Sequence, residues 1–106
     1  MTGRTPRREP ERVRADLEAH WEGVLAHRAG TVLDISSSGC FILTTDDVKI
    51  EELIRLEINL PTGRWIYLWG EVVYKSDEMG FALRFMGGDE TELQMLGMLI
   101  DYARGK

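Results

Sequence analysis

The chain has 106 residues, 43% hydrophobic and 29% charged, with a net charge of −5: enough for one globular domain with one core, and with no apolar run near the ~20 residues of a membrane span. The charge is divided. Residues 1–14 carry five Arg against two Glu, a net +3, and the remainder eight Lys and Arg against sixteen Asp and Glu, a net −8, so a grip on long nucleic acid, which needs a broad basic face, is excluded.

Residues 1–12 read as a flexible arm with Pro6 and Pro10 among charges and little to bury. Pro10 disfavours a helix at Glu9, so the segment is expected to be extended or turned. No apolar segment follows Arg4, Arg7, Arg8 and Arg12, so no secretory leader is expected. Residues 13–106 read as the folded body. Val13, Ala15, Leu17, Ala19 and Trp21 alternate with polar residues, the period of a half-buried strand. His27 to Gly30 reads as a turn, Thr31 to Asp34 as a second strand, Ser36 to Gly39 as a turn, and Cys40 to Leu43 as a third strand. Thr44 to Lys49 reads as a polar loop. Leu53, Leu56, Ile58 and Leu60 mark a fourth strand, with Ile54 beside them, and Pro61-Thr62-Gly63 closes it tightly. Trp65 to Lys75 forms a fifth strand, and Asp77 to Gly80 turns it into Phe81–Phe85. Six strands joined by short turns predict a mainly β fold, a small closed antiparallel barrel, since closure removes exposed strand edges.

After Gly88 the period becomes helical. Asp89 and Glu92 have capping-box spacing. Leu93, Leu96, Ile100 and Ala103 form one face, with Met95, Met98, Leu99 and Tyr102 beside it. This apolar arc spans about 220°, wider than the ~100° stripe that docks on one core. It is expected either to sink deeply against the barrel or to meet a second copy of the chain.

The chemistry-bearing residues fall in two short motifs. Arg8-Glu9-Pro10-Glu11-Arg12, preceded by Arg7, spaces two guanidinium groups four residues apart. Each planar fork can hold two phosphate oxygens, pair with O6 and N7 of guanine, or stack on a base. Asp34-Ile35-Ser36-Ser37-Ser38-Gly39 sets a carboxylate, a hydroxyl and a glycine in register. Asp34 can accept from N1 and N2 of guanine, and Ser36 can donate to a phosphate. Gly39 permits positive φ and close approach. Alone, each motif also fits a solvated tail or an ordinary hairpin turn. Cys40, the single cysteine, excludes an internal disulfide and suits a reducing cytoplasm. Neither His20 and His27, seven residues apart, nor Cys40 makes a metal or catalytic constellation, so neither catalysis, a metal nor a cofactor is expected.

In combination, Arg-x-x-x-Arg before the first strand and Asp-x-Ser-x-x-Gly after the second resemble the PilZ domain, a bacterial module that binds cyclic di-GMP. The likeness runs from Arg7 to Ala103 and implies a PilZ-like six-stranded split barrel with a C-terminal helix. It implies a cyclic di-GMP site of Arg7, Arg8, Arg12, Asp34, Ser36 and Gly39. Gly70 to Tyr74 resembles the family strand ending in an aromatic, which puts Tyr74 either on the ligand face or in the core. Ser38 stands where many members have a second glycine, and Glu9 and Glu11 oppose a phosphate. The resemblance implies a cytoplasmic adaptor whose surface changes on binding, regulating a partner protein in motility, polysaccharide or virulence pathways. The broad apolar arc of the last helix, together with Glu9 and Glu11, leaves open another reading, a protein-interaction module with weak or no nucleotide binding; a homodimer through the C-terminal helix is a separate reading.

Overall fold

The computed structural model describes residues 11–22, 27–76, 79–87 and 89–105. Six strands, β1 (Val13–Glu22), β2 (His27–Ile35), β3 (Gly39–Leu43), β4 (Leu53–Asn59), β5 (Trp65–Ser76) and β6 (Gly80–Gly87), precede one helix, α1 (Glu90–Arg104). All pairings are antiparallel, and the strands close into a barrel in the order β1-β2-β3-β6-β5-β4. The arm assigned to residues 1–12 lies outside the described residues, apart from Glu11 and Arg12.

Alternation places the core. Ala19, Trp21, Val32, Ile42, Leu56, Ile66, Val72, Phe81 and Leu83 point inward and are buried, with Trp21 and Phe81 edge to face at 5.2 Å. In β1 the alternation survives a bulge between Arg14 and Leu17, where Asp16 has φ 53°. Aspartate tolerates this left-handed geometry better than most residues, and its carboxylate accepts from Arg14 Nε at 3.0 Å.

Three local expectations change. His27 to Gly30 are not a turn but the start of β2, pairing with Glu22 to Ala19. Gly30 is there because a Cβ would meet Leu43 O at 2.5 Å and Trp21 Cζ3 at 3.1 Å. In β4 the inward residues are Ile54, Leu56 and Ile58, whereas Leu53 is exposed. In α1 the buried residues are Leu96, Leu99 and Ile100, and Leu93 faces out. The helix therefore packs through a narrower stripe than its apolar arc, leaving Leu93, Met98 and Tyr102 exposed.

The helix cap is half of the expected box. Asp89 accepts from Glu92 N at 2.9 Å, but the Glu92 carboxylate turns to β5 and accepts from Tyr67 N at 2.6 Å. β6 pairs with β5 only as far as Trp69, so Glu92 supplies the acceptor that Tyr67 would otherwise lack.

Candidate nucleotide site

The site is built on the β2–β3 turn. Ser36 N donates to Gly39 O at 2.8 Å, and Ser36 Oγ accepts from Ser38 N at 3.1 Å and Gly39 N at 3.3 Å. Ser36 is 2% exposed. Its hydroxyl shapes the turn from within and does not face solvent. Phe85 N donates to Ser38 O at 2.8 Å, which ties the turn to β6.

Gly39 is required for a reason other than the expected one. Its φ is not among the positive values, which fall at Gly63, Gly80 and Gly87 among the described glycines. A Cβ on Gly39 would instead collide with the Leu83 carbonyl oxygen and lie 3.3 Å from Arg84 Cα. The missing side chain makes room for β6, its paired strand.

Asp34 precedes the turn on β2, and the Arg12 guanidinium donates to its carboxylate at 2.7 Å. The two sequence motifs thus meet, 22 residues apart in the chain. The pair is partly open to solvent, with side chains 43% and 28% exposed. Arg7 and Arg8 lie outside the described residues.

Register explains what surrounds this pair. Arg14, Asp34, Phe41, Ala82 and Tyr74 stand in successive pairings across β1, β2, β3, β6 and β5. Because Ala82 is only a methyl group, the rings of Phe41 and Tyr74 approach over it, with centroids 6.3 Å apart and planes tilted by 39°. Tyr74 is 52% exposed, so its ring lies on the outside of the barrel and not in the core. One row along, Gly39 pairs with Arg84, and Arg84 with Glu71. Arg84 bonds the Glu71 carboxylate and remains largely exposed.

Arg84 and Phe41 were not singled out by sequence. Phe41 reads there as one more apolar residue of a short strand, and Arg84 as an ordinary outward charge. Only the β3–β6 register brings both beside the turn.

The surface holds a cavity of about 470 Å³ lined by the 44–48 loop, Lys75 and Phe81. Cys40, opposite Ile35 on β2, is fully buried, and burial pushes its thiol pKa far up, with the Asp34 charge adding to it. Among the described residues no three His, Cys, Asp or Glu are placed to hold a metal ion, and no helix is long and apolar enough to cross a membrane.

Comparison with known proteins gives the arrangement its context. No curated protein sequence matches the chain. Solved structures of similar fold include Bacillus subtilis MotI/DgrA, an inhibitor of motility, at 23% identity and TM-score 0.77, covering 98% of this chain and 54% of that one. The PilZ domain of Escherichia coli YcgR with c-di-GMP matches at 15% identity and TM-score 0.76, over 93% and 92% of the two chains. MrkH of K. pneumonia in its apo state matches at 18% identity and TM-score 0.66, over 100% and 56%. The chain thus spans about half the length of MotI/DgrA and of MrkH. These identities establish a shared fold. The PilZ domain model itself matches residues 6–102, which takes in both motifs, all six strands and most of α1: the chain belongs to the PilZ domain family.

Proposed function

We propose that this chain is a cyclic di-GMP receptor, and that Arg12 and Asp34 form the centre of its site. The observation that carries the reading is their 2.7 Å contact beside the Ser36–Gly39 turn. A guanine entering there opens the ion pair. Asp34 accepts from N1 and N2, and the Arg12 fork turns to O6 and N7 or to a phosphate. Opening costs little, because a solvent-exposed pair contributes only ~0–1 kcal/mol. Charge-assisted bonds to the ligand exceed that. Arg7 and Arg8 supply the remaining guanidinium groups from the arm, Ser36 and Gly39 hold the turn in place, and Tyr74 with Phe41 offers an aromatic wall for a purine. Engagement of the arm's guanidinium groups by the ligand alters the surface a partner protein reads, the means by which such an adaptor regulates motility, polysaccharide or virulence pathways.

Calorimetric titration with cyclic di-GMP, with cyclic di-AMP and GTP as controls, tests the reading. Binding of the first alone, lost in Arg8→Ala, Arg12→Ala and Asp34→Ala, supports it. No binding at high micromolar nucleotide, or affinity indifferent to those substitutions, refutes it.

A second reading, a protein-interaction module independent of nucleotide, draws on α1. Met98 is 67% exposed, and with Tyr102, Met95, Leu99, Leu60 and Pro61 it lines a groove of about 350 Å³. A complex or dimer that forms equally with and without nucleotide would favour this reading.

A further inference from the structure

Glu11, like Glu9, is a carboxylate of the arginine motif that ought to oppose an anionic ligand, yet its side chain is engaged elsewhere. Arg104, in the last turn of α1, donates from Nε to Glu11 Oε1 at 3.0 Å, across 93 residues of sequence. Its other arm donates from Nη1 to Asp101 at 3.1 Å. Arg12, the very next residue, bonds Asp34 on β2. Two adjacent side chains are thus held on different parts of the molecule, the carboxylate on the helix and the guanidinium on the site. A cation in the last helical turn is also favoured by the helix dipole, so Arg104 is anchored where it receives Glu11.

We propose that Arg104 is a positioning residue for the nucleotide site: by drawing the Glu11 carboxylate onto α1 it takes a repelling charge off the phosphate face and leaves Arg12 aimed at Asp34. The inference rests on the cyclic di-GMP reading of that site. Without Arg104, Glu11 is free to fold back, where it competes with the ligand for Arg12 and faces the phosphates with like charge.

The test is a double-mutant cycle on cyclic di-GMP affinity, with wild type, Arg104→Gln, Glu11→Gln and the double variant titrated at low and moderate salt. Arg104→Gln is expected to weaken binding about three- to fivefold, the scale of an exposed ion pair, and more at low salt. In the Glu11→Gln background the same substitution is expected to change affinity less than about twofold, because the charge to be withdrawn is gone. Arg104→Lys should restore most of the loss, and melting temperatures should stay level. An affinity indifferent to Arg104, or an equal loss with and without Glu11, overturns the positioning role while the site reading stands. Failure of the wild-type chain to bind the nucleotide overturns the site reading and this inference together.

Discussion

Replacing Gly39 by alanine separates two explanations of the motif glycine. If the glycine serves only to admit a ligand, Gly39→Ala leaves the empty protein as stable as before. The structure gives the opposite expectation, because the added Cβ would run into the Leu83 carbonyl oxygen, with Leu83 C at 3.2 Å and Arg84 Cα at 3.3 Å. These are backbone atoms of the paired strand, so no side-chain rotation relieves the clash. Overpacking of this kind costs ~1–3 kcal/mol, and displacing β6 weakens a ladder hydrogen bond worth ~0.5–1.5 kcal/mol. The expected loss is about 2–4 kcal/mol, a large part of the ~5–15 kcal/mol that holds a domain together. At ~4–8 °C per kcal/mol for a domain near this size, melting falls by at least about 8 °C. Urea unfolding followed by circular dichroism, without nucleotide, reads the effect directly. A variant within about 0.5 kcal/mol of wild type would refute the packing argument.

Three further tests, at Ser36, on α1 and at Cys40, bear on the rest of the framework. Ser36→Ala removes the buried acceptor for the Ser38 and Gly39 amides and should cost about 1–2 kcal/mol in urea unfolding. In α1, Leu99→Ala should cost ~2–4 kcal/mol and exposed Leu93→Ala no more than ~0.5 kcal/mol, which checks the observed helix face against the one periodicity suggests. Cys40 should resist thiol reagents until the protein unfolds. Its folded-state pKa lies above the ordinary 9.0, so the unfolded chain loses this proton first as pH rises. Stability is therefore full below pH ~9 and declines above it, by up to ~1.4 kcal/mol per pH unit from this group. Denaturation midpoints compared at pH 8 and pH 10 in wild type and Cys40→Ser measure the difference.

Strand number and the order of elements were legible in the sequence, because alternation and turn residues report on local geometry; the 2.7 Å contact of Arg12 with Asp34, 22 residues apart, was not. What was not legible depended on partners distant in the chain. His27 to Gly30 carry turn-like residues, and the Leu43 carbonyl and Trp21 ring packed beside Gly30 explain a glycine within a strand. Leu53 and Leu93 look like core residues by type, yet the phase of β4 and α1 turns them outward. Gly39 looks in sequence like a turn glycine with positive φ, but what requires it is the close approach of β6, more than 40 residues away. Glu92 has capping spacing, but the bare amide it serves arises where β6 ends. For the same reason, no local pattern joins Glu11 to Arg104.

Barrel closure through β1 and β4 also sets the order in which the molecule can assemble. Ala19 and Trp21 find partners early in β2, but their other neighbours, Ile58 and Leu56, are made only after β3 and the following loop. During synthesis the first hairpin must wait with one flank uncovered, so the ring is sealed late and by distant contacts, which places its folding in the slower, millisecond-to-second range.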